Sequence, residues 1–314
     1  MRRLVLILAV ALSTIGAVAC GSSSKSSSGS ASTTTAAGGT GVTTTTFNAT
    51  PITCNGQPAA QSEVGQPSDF KPVTADTLTV VTSLPGPGFW EGSDSDPTKL
   101  TSGYEYDIAK ALEQAFGLHK LVVRNVSFDA IVAGQVKDYD LALSQASITC
   151  DRAKVVKFTE PYFYSNLGIL VKKGFSKPIT SVADAKQIKW GAQTSTTSLD
   201  LLNNKIHPSS KPLSYQQLAD AYTALQAGQI DAVLIDTAIN LGEAARSHGQ
   251  LVVPAQFAQP GGPDQYGGIL PKASTNGPAI NAVFKQMRDS GQFADLAKKD
   301  LTVDPGTLFT INVS

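Results

Sequence analysis

Short apolar runs alternate with amphipathic stretches from residue 78 to residue 143. Runs rich in aliphatic and β-branched residues predict strands, and apolar residues that recur every three or four positions predict helices between them. The pattern predicts strands over 78–82, 121–123 and 140–143 and helices over 104–116 and 128–136. Strands and helices in this order form a parallel sheet with helices on both faces.

A second alternation of the same kind follows in the rest of the chain. It predicts strands over 167–171, 188–192, 230–235 and 266–270, with helices from Ser181, from the hydroxyl-rich turn Thr194–Ser198, over 215–227 and over 278–291. The chain is therefore predicted to form two α/β lobes joined by a hinge with two strands, which cross near residues 165 and 266. The predicted boundaries assign residues 73–165 with 271–314 to one lobe and residues 166–270 to the other.

The amino terminus has the form of an export signal. Arg2 and Arg3 precede an apolar run over 4–18, which is short for a membrane span and ends in small residues before Cys20. Residues 1–20 resemble the signal peptide of a bacterial lipoprotein, in which the cysteine is lipidated, although Ala17 stands where such signals usually carry leucine. The alternative is an ordinary secretory signal with an incidental cysteine.

Residues 21–72 are predicted to be a tether followed by an arm. Every residue from Gly21 to Thr46 is Gly, Ser, Thr or Ala, except Lys25 and Val42. Such a segment buries too little apolar surface to offset the entropy of ordering, and as a coil it reaches roughly 28 Å. With a lipidated cysteine before it, this tether would hold the folded part at the outer face of the cell membrane.

Charge and cysteine content narrow the set of partners. The chain has 25 basic and 25 acidic residues, and no basic stripe indicates nucleic-acid binding. Cys54 and Cys150 remain once Cys20 is assigned to the signal. In an exported protein two remaining cysteines favour one disulfide, and two unpaired thiols are the alternative.

The stretch from Phe128 to Tyr162 carries the functional signal. It contains a helix, a buried strand, a polar turn that ends in Arg152, and a second strand. Together with four further segments in the same order, it resembles the polar amino-acid binding proteins of ABC importers; the segments are Gly103–Ala109, Gln193–Thr197, Ala224–Asp236 and Tyr266–Lys272. The resemblance implies a two-lobed, periplasmic-binding-protein-like (type II) α/β fold that closes over one ligand.

The resemblance also implies a site for a free amino acid. Arg152 would bind the ligand carboxylate with its planar guanidinium, assisted by Ser147 and by the backbone N–H groups of Thr196 and Thr197 at a helix start. Asp236, at the end of a strand in the second lobe, would bind the ammonium group. A buried zwitterion needs a partner for each charge.

Other positions bear on the ligand side chain. Phe128 would form a wall of the site, and either Phe89 or Trp90 would face the ligand. Ser83 stands where several binders of basic amino acids place an acid, and Gln145 stands where the family often has a small residue. These departures favour a polar, non-basic ligand such as glutamate, glutamine, aspartate or asparagine.

Each site assignment has a structural alternative. The alternatives are a surface role for Arg152, a loop cap for Asp236, helix caps for Thr196 and Thr197, a turn role for Ser147 and simple packing for Phe128. For the whole chain, a binder that reports to a membrane receptor competes with a binder that serves an importer permease.

An enzyme related to cyclohexadienyl dehydratases is a further alternative. The sequence contains no nucleophile elbow, phosphate loop or metal-ligand spacing. Its three histidines, His119, His207 and His248, lie outside any motif. We therefore expect a monomeric binding protein without a cofactor or a metal.

Overall fold

The computed structural model describes residues 50–301 and 308–313. The predicted signal peptide, Cys20 and the Gly/Ser/Thr tether lie outside these residues. Two sheets dominate the described part, together with a small hairpin near the amino terminus. The strands are β1 (Thr53–Cys54), β2 (Gln57–Pro58), β3 (Thr77–Thr82), β4 (Lys120–Asn125), β5 (Leu141–Ala142), β6 (Lys157–Ser165), β7 (Leu167–Lys172), β8 (Trp190–Gln193), β9 (Leu213–Tyr215), β10 (Ala232–Asp236), β11 (Leu251–Ala258), β12 (Asp264–Leu270) and β13 (Phe309–Asn312).

Helices connect most of these strands. They are α1 (Tyr104–Ala115), α2 (Phe128–Val132), α3 (Cys150–Val155), α4 (Val182–Ala185), α5 (Thr197–Leu201) with a π-helical turn over Leu202–Ile206, α6 (Leu218–Gln226), α7 (Thr237–Arg246), α8 (Gly277–Asp289) and α9 (Gln292–Asp300). Their boundaries follow from local chemistry. Helix α1 ends where Gly117 adopts φ 65°, which a glycine tolerates, and α8 has a proline in its first turn.

The first lobe contains the five-stranded sheet, in the order β4-β3-β5-β12-β6. Strands β3, β4 and β5 are parallel, as the alternating pattern predicts, whereas β12 runs antiparallel to both β5 and β6. All six residues of β3 are buried, which is typical of a central strand covered on both faces. Helix α1 covers one face through Ile108 and Leu112, and Ile131 and Phe158 pack in a second cluster with Val81.

The second lobe contains the six-stranded sheet, in the order β13-β11-β7-β10-β8-β9. Its core includes the buried side chains of Ile169, Trp190, Leu234 and Phe257. Strand β10 is parallel to β8 and antiparallel to β7. Strand β10 lies inside this sheet and ends at Asp236, whose side chain is buried.

The predicted lobe boundaries need two corrections. Residues 264–270 form β12, which pairs with β6 of the first lobe instead of belonging to the second. Residues 309–312 form β13, which pairs with β11 of the second lobe, and Ile311 is buried in its core. Helix α9 packs on α1 and α8 of the first lobe, so β13 is the second entry of the chain into the second lobe and follows a third crossing between the lobes.

Some local predictions were also wrong. Tyr215 ends β9, and the helix predicted from that residue begins only at Leu218. Helix α7 and strand β11 were not predicted. The β11 segment has the burial pattern of an irregular strand, with a register shift between Val252 and Ala255 that breaks strict alternation.

The predicted disulfide is confirmed. Cys54 and Cys150 are joined at an S–S distance of 2.10 Å, which links the β1–β2 hairpin to the first residue of α3. The arm continues along the first lobe, where the Asn281 side chain donates hydrogen bonds to the carbonyls of Gln61 and Glu63. The disulfide therefore attaches the arm directly to the helix that carries Arg152.

Candidate functional site

A cavity lies between the two sheets, where the carboxyl ends of β3, β5, β8 and β10 converge. Ligands of open α/β sheets bind at such ends. The cavity is lined by every residue that the sequence nominated for ligand contact except Phe89 and Trp90; these residues are Ser83, Phe128, Gln145, Ser147, Arg152, Thr196, Thr197 and Asp236. Pro85, Ser144, Gln193 and the apolar side chains Leu218, Ile235 and Ile239 complete the lining.

Arg152 is buried in this cavity. Thr149 caps the start of α3 by accepting a hydrogen bond from the Arg152 backbone N–H at 3.3 Å, which fixes the direction of the helix. The guanidinium donates to the carbonyl of Ser147 at 2.6 Å and to the carbonyl of Ser195 at 2.8 Å. It also lies 5.2 Å from the centre of the Phe128 ring, within range of a cation–π contact.

These contacts leave Arg152 with unused donors. A guanidinium has five N–H groups, and only two hydrogen bonds are made to the described residues. The bond to Ser195 joins the first lobe to the second, so the arginine already connects the two lobes. A carboxylate in the cavity could be bound by the remaining N–H groups without displacing either carbonyl.

Asp236 faces the cavity from the second lobe. It ends β10 and is almost fully buried, and its Oδ1 atom has no hydrogen-bond partner among the described residues. Burial, reinforced by the negative charge of Asp264, raises the pKa of the Asp236 carboxyl well above its usual value. The Tyr266 hydroxyl and the charge of Arg152 oppose this rise only in part. A buried carboxylate oxygen without a donor is costly, and an ammonium group placed beside it would relieve this cost.

Asp264 is a site residue that the sequence analysis missed. It begins β12 in the first lobe, and its carboxylate accepts hydrogen bonds from the Thr197 hydroxyl at 2.7 Å and from Gln259 at 3.0 Å. Burial raises its pKa, and the hydrogen bond from Thr197 is the largest opposing cause. Its position at the second predicted crossing was the available signal, since a side chain there can contact both lobes.

Thr196 and Thr197 both line the cavity, and their hydroxyl groups form different hydrogen bonds. The Thr196 hydroxyl accepts a hydrogen bond from the Leu199 N–H at 3.2 Å and donates to the Gln193 carbonyl at 2.7 Å, so it caps α5. The Thr197 hydroxyl donates to Asp264. Because both hydroxyls are engaged, the backbone N–H groups are the donors left at this turn for a ligand.

Gln145 is held in an unusual conformation. Its φ angle of 48° is in the left-handed region, and its backbone N–H donates to Oε1 of Glu105 at 2.8 Å. Its side-chain Nε2 donates to Oε2 of the same carboxylate. Beside it, the Ser83 N–H donates to the Ser144 hydroxyl at 3.0 Å, so the turns after β3 and β5 support each other.

Glu105 was assigned no ligand role from the sequence, yet it organises this side of the cavity. It is completely buried on α1 and also accepts hydrogen bonds from Trp90 Nε1, at 2.6 Å, and from the Tyr162 hydroxyl. Burial raises the pKa of its carboxyl to about 7, against the lowering effect of these donors. The only sequence signal was an acid at the start of a helix that is otherwise apolar on one face.

Phe89 and Trp90 do not face the ligand cavity, which corrects the prediction for them. Phe89 is fully buried and packs edge-on against Tyr104 and Phe163 in the first lobe. Trp90 is also buried, and its indole N–H donates to Glu105 and to the carbonyl of Leu143. Two consecutive large aromatic residues after a loop are compatible with core packing as well as with ligand contact. Both side chains pack in the core.

Two further findings concern the described residues as a whole. None of their helices has the length and apolar character needed to cross a membrane. None of their His, Cys, Asp and Glu side chains gather in a group that could hold a metal ion.

Comparison with known proteins matches residues 92–302, more than half of the chain, to the bacterial extracellular solute-binding proteins of family 3. The chain belongs to this family. The match includes α1, the turn with Arg152 and the strand that ends in Asp236. The resemblance inferred from the sequence is therefore confirmed.

Curated relatives within family 3 are named for different amino acids. The chain is 31% identical to ABC transporter arginine-binding protein 1 of Escherichia coli over 155 residues, which cover 49% of this chain and 61% of that protein. It is 30% identical to the glutamine-binding protein GlnH of Bacillus subtilis over 211 residues, 65% of this chain and 74% of that protein. The chain thus spans less than two thirds of the length of the first of these relatives.

A solved structure supports the fold. An ancestral arginine-binding protein bound to glutamine matches with a TM-score of 0.63 at 26% identity, covering 72% of this chain and 98% of that one. The predicted two-lobed α/β fold of the type II periplasmic binding proteins is therefore confirmed. Family 3 proteins are extracellular solute-binding proteins, and these relatives are named as binding proteins instead of enzymes.

Proposed function

We propose that this family 3 protein binds one free polar amino acid between its lobes and delivers it to the permease of an ABC importer. The observation that carries the proposal is the pairing of charges across one cavity. Arg152 of the first lobe has unused N–H donors, and Asp236 of the second lobe has an unpartnered carboxylate oxygen. An amino-acid zwitterion supplies the complement of both.

The remaining lining would complete this site. The backbone N–H groups of Thr196 and Thr197 would join Arg152 at the ligand carboxylate, and Ser147 would add its hydroxyl. Phe128, already stacked near the guanidinium, would form one wall. From the identity of Ser83 and Gln145 we propose glutamate, glutamine, aspartate or asparagine as the ligand set.

Closure would follow from these contacts. Ligand groups bound to both lobes stabilise the arrangement in which Arg152 already reaches Ser195 and Asp264 already reaches Thr197. A ligand that contacts both lobes favours the closed state over any open state by its difference in affinity. A permease could then distinguish loaded from empty protein by the position of the lobes.

The amino-terminal segment is proposed to attach the protein to the membrane. We propose that Cys20 is lipidated and holds the protein at the outer face of the membrane. Cells that express Cys20→Ala should release the protein into the medium or periplasm, and labelled fatty acid should no longer be incorporated. Retention of the label by the variant would contradict this part alone.

A thermal-shift screen of the folded domain against the common amino acids tests the binding proposal. A ligand at about 100 times its Kd stabilises by about 2.7 kcal/mol, roughly 5–10 °C for a domain of this size. Arg152→Ala should abolish that shift. Arg124→Ala is the matched control, because Arg124 of β4 lies outside the cavity and, among the described residues, donates to the carbonyls of Lys137 and Asp138.

The outcomes of the screen are distinct. A shift for one or two polar amino acids, kept in Arg124→Ala and lost in Arg152→Ala, is the expected result. Absence of a shift with every amino acid would overturn the proposed function. Delivery is then tested by uptake of the labelled amino acid in cells with and without this protein, where unchanged uptake would contradict the importer role.

A further inference from the structure

The Glu105 carboxylate determines how the Gln145 side chain is oriented at the cavity wall. Four donors surround the two carboxylate oxygens. Oε1 receives the Gln145 backbone N–H and the Tyr162 hydroxyl, and Oε2 receives Trp90 Nε1 and the Gln145 side-chain Nε2. The side-chain amide of Gln145 therefore turns its NH₂ group toward the protein.

This orientation is compatible with both protonation states of Glu105. The Gln145 backbone N–H can only donate and uses Oε1 of Glu105, and Trp90 Nε1 donates to Oε2 and, at 3.2 Å, to the carbonyl of Leu143. A proton on Oε1 can be accommodated, because the Tyr162 hydroxyl next to it can accept as well as donate. In both states Oε2 remains an acceptor, and Nε2 of Gln145 remains its donor.

The carbonyl oxygen of Gln145 is left for the cavity. Gln145 lines the cavity, and among the residues that the structure describes no donor is bonded to its Oε1 atom. Gly86 lies next to this amide: a Cβ atom placed on it would come within 3.4 Å of Oε1. The absence of a side chain at Gly86 leaves the oxygen unobstructed from that direction.

We infer that the Glu105–Gln145 pair selects ligands whose side chain ends in a carboxamide, glutamine or asparagine, over those that end in a carboxylate. This inference rests on the proposed function, in which Arg152 and Asp236 bind the two backbone charges. The ligand NH₂ group would donate to Gln145 Oε1. Its carbonyl would accept from the hydroxyl of Ser83 or Ser144, which can rotate to donate.

A side-chain carboxylate fits this wall poorly. It would place an acceptor against the acceptor oxygen of Gln145, with no proton between them. It would also add a negative group near Asp236 and Asp264, the two acids whose charges act most strongly on Arg152. Sites built to hydrogen-bond a particular polar group reject an analogue that leaves buried polar atoms unpaired.

A cationic side chain is also disfavoured. Burying a cation requires a counter-ion. At this wall the lining consists of the neutral residues Ser83, Pro85, Ser144 and Gln145. The Glu105 carboxylate behind them is already occupied by its four donors, so it cannot serve a ligand ammonium or guanidinium.

The test is calorimetric measurement of Kd for glutamine, glutamate, asparagine, aspartate and arginine. Gln145→Gly is the informative variant, because glycine accepts φ 48° and keeps the backbone N–H bond to Glu105. Asp138→Gly is the matched control: Asp138 also has a positive φ, 55°, but is exposed and outside the cavity.

We expect the wild-type protein to bind the better carboxamide at least about 100-fold more tightly than its matching acid, as a site with specific polar partners does. Gln145→Gly should reduce that ratio at least about tenfold, which corresponds to about 1.4 kcal/mol, while Asp138→Gly should keep it. A purely structural role for Gln145 would weaken both ligands equally and leave the ratio unchanged.

Several results would overturn the inference. Tightest wild-type binding of glutamate or aspartate would do so while leaving the proposed function intact, and tightest binding of arginine would overturn the proposed ligand set as well. A ratio that survives Gln145→Gly would remove Gln145 as the selecting residue. Binding of none of the amino acids would overturn the proposed function together with this inference, so the two failures are distinguishable.

Discussion

The two lobes present their polar groups to the cavity in different states. On the first lobe, the Gln145 amide is bonded to Glu105, and the Arg152 guanidinium is bonded to the carbonyl of Ser147. On the second lobe, the Asp236 carboxylate has a buried oxygen without a partner. One wall of the cavity is thus organised before any ligand enters, and the other has an unmet requirement.

The difference separates two tasks in binding. A prearranged wall costs little to order when a ligand arrives, so it can distinguish one side chain from another. An unpartnered buried acid makes the empty cavity unfavourable, so any ammonium group beside it gains free energy. Selectivity would then reside mainly in the first lobe, and much of the general affinity for amino acids in the second.

The largest effect should come from Asp236→Asn. The variant removes the ammonium's partner and should weaken ligand binding by about 3 kcal/mol, roughly 100-fold. The pKa of Asp236 is raised in the folded protein, so folding favours the protonated acid, and its stabilising effect is lost as the pH rises through that raised pKa. A neutral amide avoids the buried negative charge, so it should stabilise the empty protein at pH values above that raised pKa.

Melting temperature and calorimetry on the same samples measure both effects. We expect Tm of the empty protein to rise by about 2–4 °C, equivalent to about 1 kcal/mol, while affinity falls. Asp231→Asn is the control. Asp231 directly precedes β10, at the end opposite to Asp236, and pairs with Lys177 at the surface. Loss of both stability and affinity in Asp236→Asn would contradict the claim that the unpartnered Asp236 oxygen destabilises the empty protein.

The part of this comparison that could be predicted from sequence is the part with local signals. Arg152 follows a polar turn, and Asp236 ends an apolar strand, so their placement at strand ends was foreseeable. Glu105 and Asp264 had weaker signals, an acid at a helix start and an acid near a predicted crossing, because their roles depend on partners 40 and 67 residues away. The antiparallel placement of β12 and the return of β13 likewise depend on pairings that no local pattern encodes.

A smaller effect is expected from Glu105→Gln on the first lobe. Burial raises the pKa of Glu105 from 4.5 to about 7, so its contribution to stability is complete below pH 4.5 and is lost as the pH rises through about 7. In the wild type this loss is at most about 3–4 kcal/mol, at about 1.4 kcal/mol per unit of pKa. The variant should lack this part of the pH dependence.

Urea unfolding at pH 4.5, 6 and 8 measures this dependence for the empty protein. Glu113→Gln is the control on the same helix. The Glu113 carboxylate forms an ion pair with Lys110, whereas Glu105 belongs to a buried hydrogen-bond network. The control should keep the wild-type difference between pH 4.5 and 8. An unchanged difference in Glu105→Gln would mean that Glu105 does not titrate between pH 4.5 and pH 8.

The smallest effect should follow from Asp264→Asn, which changes the contact between the two walls. Asp264 holds the Thr197 hydroxyl across the lobes at 2.7 Å, and a hydrogen bond to a charged acceptor is stronger than one to an amide. Since asparagine can still accept this bond, we expect affinity to fall by about 1 kcal/mol, roughly fivefold.

Thr197→Val removes the same bond from the other side. In a double-mutant cycle the two losses should not add, because both variants disrupt one interaction. Additive losses would show that Asp264 acts on the ligand or on Arg152 directly. The first lobe would then supply a second acid to the site through Asp264, besides the contact that holds the lobes together.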